Sequence, residues 1–167
     1  MSIPQATMPL GVVLERRRID HPWAASAWRA VAVIPGAPPP AAPAGAEDRV
    51  HAATLELGLH RKETEGYRVN LSQPEPVVYV VLRPGAAGAA PRPFRVTVCP
   101  YEAQAYELGG DERVDALPMP PAVAALVARF VAAHHVEEPF VKRRRTPHEP
   151  EGPRPARKGS VGGPRYG

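Results

Sequence analysis

The sequence predicts an α+β domain: a curved antiparallel sheet or small open β-barrel of about six strands, with one main C-terminal helix. Short stretches in which apolar and polar residues alternate recur as far as residue 99, and this is the period of a half-buried strand. Near the end of the domain, the apolar residues from Pro121 to His135 instead follow helical spacing. Most predicted strands are joined by short turns, which favours antiparallel pairing.

Composition divides the 167 residues into a flexible N-terminus (1–9), a single α+β domain (10–140) and a disordered basic tail (141–167). The tail has eight Lys or Arg and two Glu, a net charge of +6, with many Pro and Gly and almost no aliphatic residues. Such a segment buries too little apolar surface to offset the entropy of ordering it. The rest of the chain has a net charge of −2, which does not support a globally basic, nucleic-acid-coated domain.

Several protein classes are disfavoured by what the sequence contains. Cys99 is the single cysteine, so no intrachain disulfide is expected and a reducing compartment is favoured. The N-terminus has no pattern of a signal peptide, and no apolar run approaches the ~20 residues of a membrane span. We therefore expect a soluble, cytoplasmic protein.

Three strands are predicted in the first half of the domain: Leu10–Ile19, Trp28–Ile34 and Thr54–His60. In the second of these, Trp28, Ala30, Ala32 and Ile34 are expected to share one face. A Pro/Ala/Gly tract at 36–46 follows and predicts a loop.

Three further strands are predicted after Thr54–His60: Tyr67–Leu71, Val77–Arg83 and Phe94–Cys99. The segment Val77–Arg83 is apolar on both faces and is therefore expected to be the central strand. Pro100–Glu107 predicts one or two helical turns, because proline is favoured in the first turn of a helix.

The connection after the third strand is the first candidate binding surface. It contains His60, Arg61, Lys62, Glu63 and Glu65. These groups could form an acid–base patch, but no nucleophile motif lies nearby, and a charged hairpin tip is usually just solvated. Among functional roles, binding of a protein partner is the one we favour.

Two other segments are candidates for contact with a partner. Trp23 lies in a predicted turn and suits an interface anchor, whereas Trp28 lies in a strand and suits the core. In the tail, Lys142, Arg143, Arg144 and Arg145 could bind nucleic acid, an acidic protein or an anionic surface.

Other clusters favour structural explanations. The run Arg16-Arg17-Arg18 could bind phosphate, but a charge-protected edge strand is the favoured interpretation. His134 and His135 point about 100° apart on a helix, so they are poorly placed to share a metal. A buried, inert Cys99 is favoured over a reactive thiol. Since nucleophile, phosphate-loop and metal-ligand motifs are missing, we expect no catalytic residues, no metal and no cofactor.

Four stretches carry a family resemblance: GVVLERRRIDHPW, LHRKETEGYRVNLSQPEPVVYVVLRP, FRVTVCPYEAQAYE and HHVEEPFVKRRR. They are similar to a bacterial family catalogued as domain of unknown function number 3305, over most of residues 10–145. The loop at 36–50 is short and proline-rich compared with the usual connection in that family. The resemblance implies a genetic setting beside molybdenum-dependent formate dehydrogenases and their assembly factors, but no assigned activity.

The expected function is therefore that of a non-catalytic accessory or maturation protein for a molybdenum-cofactor formate dehydrogenase. It would bind an enzyme subunit or an assembly factor. The alternative is a nucleic-acid-binding or regulatory module that uses the basic tail, and an enzyme is the third choice.

Overall fold

Two three-stranded antiparallel sheets form the fold, open rather than closed into a barrel, so the predicted class is confirmed. A computed structural model describes residues 3–21, 24–41, 47–86 and 89–136. Its strands and helices are, in chain order, β1 (Ala6–His21), β2 (Ala24–Pro35), β3 (Arg49–Leu59), α1 (Thr64–Leu71), β4 (Val77–Arg83), β5 (Arg92–Thr97), α2 (Pro100–Gly109), β6 (Arg113–Pro118) and α3 (Pro121–His134).

The first sheet has the order β2-β1-β3, with antiparallel pairing throughout. Its middle strand begins at Ala6, inside the segment 1–9 that was expected to precede the domain. Inward-facing side chains of this strand, such as Leu10, Val12 and Leu14, are fully buried. Because β1 is paired on both sides, it is the central strand of the first sheet.

The second sheet has the order β5-β4-β6, so Val77–Arg83 is the central strand, as predicted. Val78, Val80 and Leu82 are at most 1% exposed, which confirms the buried face expected for them. The two sheets also meet at their margins, where β3 lies beside β5 and β2 lies beside β6.

One hydrophobic core joins both sheets to the helices. The predicted C-terminal helix is confirmed as α3, which buries Val123, Val127 and Phe130 against this core. The ring of Phe130 meets that of Tyr67 edge to face, with 6.1 Å between the centroids. The predicted short helix after Pro100 is also confirmed, as α2.

The strand predicted at Tyr67–Leu71 is wrong, because this segment is part of the helix α1. The residues in YRVNL favour a strand locally, but tertiary packing favours a helix. Thr64, Tyr67 and Asn70, which are spaced three residues apart, all face the interior. Gly66 lets α1 approach closely, because a Cβ atom there would lie 2.7 Å from Cys99 Sγ. The predicted hairpin is therefore a strand followed by a 3-10 turn at Arg61–Glu63 and a helix.

The sixth strand is β6, which is not among the predicted strands. A second difference lies in β2, where Leu14 pairs with Ala30 but Val13 pairs with Ala32. Val31 is therefore an extra residue, and it shifts the alternation that follows. Ala30 and Val33 are buried and Ile34 is 45% exposed, so the shared face expected for Trp28, Ala30, Ala32 and Ile34 is wrong.

The compact unit spans Met1–Val136. The expected tail (141–167) and the last residues of the expected domain (10–140) lie outside the residues that the structure describes. Among the helices that are described, none is both long and apolar enough to cross a membrane.

Candidate functional site

A cleft of about 480 Å³ opens between the margins of the two sheets, where β3 lies beside β5. Its lining mixes apolar and charged side chains. It consists of Pro4, Leu55, Glu56, Gly58, His60, Glu63, Phe94, Arg95, Val96 and Glu102. We call this feature the β3–β5 cleft.

The strand β3 contributes one wall through residues that alternate with its buried positions. Leu57 and Leu59 are fully buried, which turns Glu56 and Gly58 toward the cleft. His60 follows directly after the strand, in extended backbone, and also lines the cleft. The strict alternation that predicted this strand therefore also determines that its polar residue Glu56 faces the cleft.

The start of α1 adds a carboxylate that is held by a buried phenol. The hydroxyl of Tyr67 donates to Glu63 Oε2 at 2.8 Å and accepts the backbone N–H of His60 at 2.9 Å. Tyr67 is 1% exposed, and its burial raises the pKa of the phenol, with the Glu63 carboxylate acting in the same direction. These bonds fix the positions of His60 and Glu63 relative to each other.

The opposite wall comes from β5 and the first turn of α2. Glu102 accepts from Arg95 Nη1 at 2.7 Å through one carboxylate oxygen, and from Thr97 Oγ1 at 2.9 Å through the other. The Glu102 carboxylate raises the pKa of the Arg95 guanidinium. Phe94 packs edge to face on Tyr106 of α2, with 6.1 Å between the ring centroids.

The charge balance of the cleft is acidic. Glu56, Glu63 and Glu102 face a single guanidinium, Arg95, which is already paired with Glu102 at 2.7 Å. Apolar groups such as Leu55 and Phe94 lie among these charges. A segment that combines a cationic side chain with apolar ones would match this lining. Within the described ranges, no group of three His, Cys, Asp or Glu is arranged to hold a metal ion.

The structure brings together two of the five residues predicted in this segment. His60 and Glu63 line the cleft, whereas Arg61, Lys62 and Glu65 are exposed and do not line it. The other candidates, Trp23, Lys142, Arg143, Arg144 and Arg145, lie outside the described residues.

Three charged residues of the cleft were not identified from the sequence: Glu56, Arg95 and Glu102. The alternation of β3 could have marked Glu56 as outward-facing. Nothing local places Arg95 or Glu102 beside β3, because that neighbourhood results from the packing of one sheet on the other.

Two other clusters, the arginine run at 16–18 and the histidine pair at 134–135, can also be compared with their predicted roles. β1 is the middle strand of its sheet only as far as Glu15, opposite Arg49, and Arg16-Arg17-Arg18 follows where β1 pairs with β2 alone, which agrees with the charged-edge interpretation. His134 packs on the ring of Phe130, whereas His135 lies within hydrogen-bond distance of Thr64 and Arg68, so the two imidazoles diverge as expected.

Cys99 is 3% exposed, and this burial raises the pKa of its thiol. A raised pKa leaves less thiolate at neutral pH, which agrees with the buried, unreactive cysteine that was favoured.

Comparison with known proteins gives a family but no further relatives. Searches of the curated proteins and of the solved structures found no match. One family model matches residues 9–144, which is most of the chain and includes the whole β3–β5 cleft except Pro4. The chain therefore belongs to the family described as "Protein of unknown function (DUF3305)".

Proposed function

We propose that this chain is a non-catalytic accessory or maturation protein for a molybdenum-cofactor formate dehydrogenase, and that it binds a protein partner in the β3–β5 cleft. The partner would be an enzyme subunit or an assembly factor, and the encounter would take place in the cytoplasm. The enzyme named here rests on the family resemblance of the sequence. The mode of action rests on the cleft.

The observation that carries the binding proposal is the composition of the cleft wall. About 480 Å³ of open space is bordered by three carboxylates and by several apolar side chains. Two of the carboxylates, Glu63 and Glu102, already have fixed positions because they accept hydrogen bonds from Tyr67, Thr97 and Arg95. A preformed acidic surface of this kind loses little entropy on binding, and it favours a partner segment of opposite charge.

A non-catalytic role agrees with the chemistry of the lining residues. The hydroxyls beside the carboxylates belong to Tyr67 and Thr97, which are 1% and 3% exposed and do not line the cleft, so neither hydroxyl is presented to a substrate as a nucleophile. The proposal therefore assigns the cleft to recognition.

The test is affinity capture with the full-length chain from cells grown with formate and molybdate. We expect the wild-type chain to recover formate dehydrogenase subunits or an assembly factor of that enzyme. Glu56→Lys reverses the charge of an exposed cleft residue and should weaken binding of the recovered partner about ten-fold, equivalent to ~1.4 kcal/mol. Glu75→Lys is the matched control, because Glu75 is equally exposed and does not line the cleft.

Two results would contradict the proposal. If Glu56→Lys and Glu75→Lys both bind the partner like the wild type, the cleft is not the recognition surface. If capture recovers nucleic acid and no formate dehydrogenase component, the alternative is favoured: a nucleic-acid-binding or regulatory module that uses Lys142, Arg143, Arg144 and Arg145.

A further inference from the structure

The β3–β5 cleft lies between two strand edges that have no neighbouring strand. The first sheet ends with β3 and the second with β5, and among the described residues neither strand has a pairing partner on its outer side. An edge strand has a row of backbone N–H and C=O groups with which a further extended chain can pair. Which residues direct these groups into the cleft follows from the pairing of each strand on its inner side.

On β3, the outward backbone groups belong to Glu56 and Gly58, which both line the cleft. The carbonyl of Pro9 in β1 accepts the N–H that follows β2, at 2.8 Å, so the backbone groups of Pro9 face β2. Backbone groups of successive strand residues point to opposite edges, so Leu10 faces β3 and exchanges hydrogen bonds with its partner Leu55. By the same alternation, the N–H and C=O groups of Glu56 and Gly58 point away from β1.

On β5, the outward backbone groups belong to Val96, which also lines the cleft. Just before β4, the carbonyl of Pro76 accepts the N–H of Met119 at 2.9 Å, so the backbone groups of Pro76 face β6. Alternation along β4 then turns Tyr79 toward β5, where it pairs with Thr97. The N–H and C=O groups of Val96 therefore point away from β4, so both walls of the cleft contain a strand edge.

The other margin between the sheets, where β2 lies beside β6, is closed by side chains. Asp115 Oδ2 accepts the N–H of Ala30 at 2.9 Å, and Arg113 Nη2 donates to a β2 carbonyl at 2.6 Å. In the β3–β5 cleft, Glu63 and Glu102 instead accept hydrogen bonds from other side chains. These two glutamates therefore do not take the place of a strand, as Asp115 and Arg113 do at the other margin.

The charges around the cleft decide which kind of strand fits it. Four charged side chains and one histidine line it: Glu56, Glu63, Glu102, Arg95 and His60. Further charged groups near these residues do not line it: Arg61, Lys62 and Glu65 after His60, and Arg83, Arg92 and Glu112 around Phe94. With a neutral histidine, three carboxylates and one guanidinium give the lining a net charge of −2, and that guanidinium is already bonded to Glu102. Glu56 is the exposed carboxylate among the three, so a cation of the partner reaches it most easily.

We propose that the partner segment bound by the cleft is an extended basic strand, in which Arg or Lys alternates with apolar residues, and that it pairs with the open edge of β3. The inference rests on the proposed function, which assigns the cleft to a protein partner. A residue paired with Glu56 has its side chain on the same face of the sheet as Glu56, so a cation fits there. Its two neighbours point to the opposite face, where Leu55 and Leu57 lie, so apolar residues fit there.

A second copy of this chain is a poor occupant of that edge. The segment from Thr54 to His60 contains Glu56 and no Lys or Arg. Two β3 edges paired with each other would therefore bring carboxylates together with no cation between them, and like charges across a ladder are destabilising. A basic strand has the complementary charge.

The test uses the full-length chain and a fluorescein-labelled peptide, Val-Arg-Val-Arg-Val, with binding followed by fluorescence anisotropy. Glu56→Ala removes the carboxylate and should weaken binding about three-fold, as expected for the loss of an exposed ion pair. Glu56→Pro also removes the outward N–H, which β1 does not use, and should weaken binding by about a further five-fold through the lost hydrogen bond. Glu75→Ala and Glu75→Pro are the matched controls, because Glu75 is exposed and does not line the cleft.

Two changes in the peptide test the strand geometry without depending on the folding of Glu56→Pro. The block peptide Val-Val-Val-Arg-Arg has the same composition and charge but no alternation, so it should bind at least about five-fold more weakly. N-methylation of both arginines and N-methylation of the central valine block opposite edges of the peptide strand. One of these two methylated peptides should therefore lose binding, and the other should keep it.

Three results would overturn the inference. If the alternating and block peptides bind equally while Glu56→Ala weakens both, the cleft recognises charge without strand pairing, and the proposed function stands. If the two N-methylated peptides bind equally, the peptide does not pair along one edge. If the wild type does not bind the alternating peptide, or if neither Glu56 variant weakens its binding, no basic strand adds at this edge, and capture of the partner alone decides the proposed function.

Discussion

Tyr67 shows how one buried side chain connects the core to the candidate site. Its ring packs on Phe130, and its hydroxyl, which is almost inaccessible, holds both His60 and Glu63. Burial raises the pKa of this phenol above its ordinary value of about 10. The neutral phenol is therefore favoured in the folded state, and the unfolded chain releases the proton first as the pH rises.

This shift predicts a pH dependence of stability at the alkaline end. The contribution of Tyr67 is fully present below about pH 10 and decreases above it, by about 1.4 kcal/mol between pH 8 and pH 11. Tyr67→Phe should be less stable than wild type by about 1–3 kcal/mol at pH 8, because His60 N–H and the Glu63 carboxylate lose a partner. Urea unfolding of both proteins at the two pH values should show the gap narrowing at pH 11. A gap of constant size would mean that the phenol ionises as readily in the folded state as in the unfolded one.

At the scale of elements, the sequence pattern predicted a strand or a helix correctly wherever the buried residues recur with the spacing of that strand or helix. β3, β4 and α3 are of this kind, because each buries side chains at regular intervals against one core. α1 and β6 are different. The helical burial of α1 involves a threonine, a tyrosine and an asparagine, which do not form an apolar stripe, and β6 buries only Leu117.

The same contrast applies to the candidate site. His60 and Glu63 could be identified because they belong to one dense polar segment that follows a clear strand. Arg95 and Glu102 could not, because their relation to β3 depends on how the second sheet packs beside the first. A sequence pattern reports the face on which a side chain lies, but not the element that this face meets.

The contact between β2 and β6 is made by side chains rather than by a backbone ladder. Asp115 Oδ2 accepts the backbone N–H of Ala30 at 2.9 Å, and Arg113 Nη2 donates to the carbonyl of Trp28 at 2.6 Å. Arg113 and Asp115 also pair with each other at 3.0 Å. These two residues therefore satisfy backbone groups of β2 that a neighbouring strand would otherwise satisfy.

The β2–β6 contact predicts a local change in hydrogen exchange. Asp115→Ala removes the acceptor of the Ala30 amide, so this amide should exchange at least about ten-fold faster, and the domain should lose about 1 kcal/mol of stability. Asp111→Ala is the control, because Asp111 is an exposed acid just before β6. Exchange measured amide by amide separates local opening from global unfolding. If Ala30 stayed as protected in Asp115→Ala as in the control, the hydrogen bond from Ala30 to Asp115 would not be what protects this part of β2.

Across the whole molecule, the two sheets have the same strand order relative to the chain. In β2-β1-β3 and in β5-β4-β6, the first strand lies in the middle, the second on one side and the third on the other. Each set of three strands is followed by a helix that packs on the other one, α1 after β3 and α3 after β6. The two halves therefore share one strand topology, although the sequence shows no internal repeat. The same topology requires similar patterns of buried positions in the two halves, but not similar residues.

The two halves cannot be stable separately, since each sheet buries its inner face against the other. Leu57 and Tyr67 from the first half lie in the same hydrophobic cluster as Val80 and Phe130 from the second. The side chain of Asn70 also crosses between the halves. Its amide donates to the carbonyls of Val77 and Val98 at 2.8 Å each, and its oxygen accepts the N–H of Val77 at 3.0 Å.

This shared core predicts that the protein can be divided and reassembled. Residues 72–75 form an exposed turn between the halves, so the chain can be separated into fragments 1–74 and 75–167. Each fragment alone should show no cooperative melting, because a three-stranded sheet with its apolar face in water buries too little surface. Mixed together, they should form a one-to-one complex with a cooperative transition, seen by size-exclusion chromatography and near-ultraviolet circular dichroism.

Asn70→Leu in the first fragment provides the matched comparison. It keeps the side-chain size but leaves the polar groups of Val77 and Val98 without that partner, so reassociation should weaken by about 3 kcal/mol or more, over a hundred-fold. If fragment 1–74 melted cooperatively on its own, the first sheet would have an independent core, and the prediction that each half depends on the other would be wrong. If the fragments associated equally well with Leu at position 70, packing without these hydrogen bonds would join the halves.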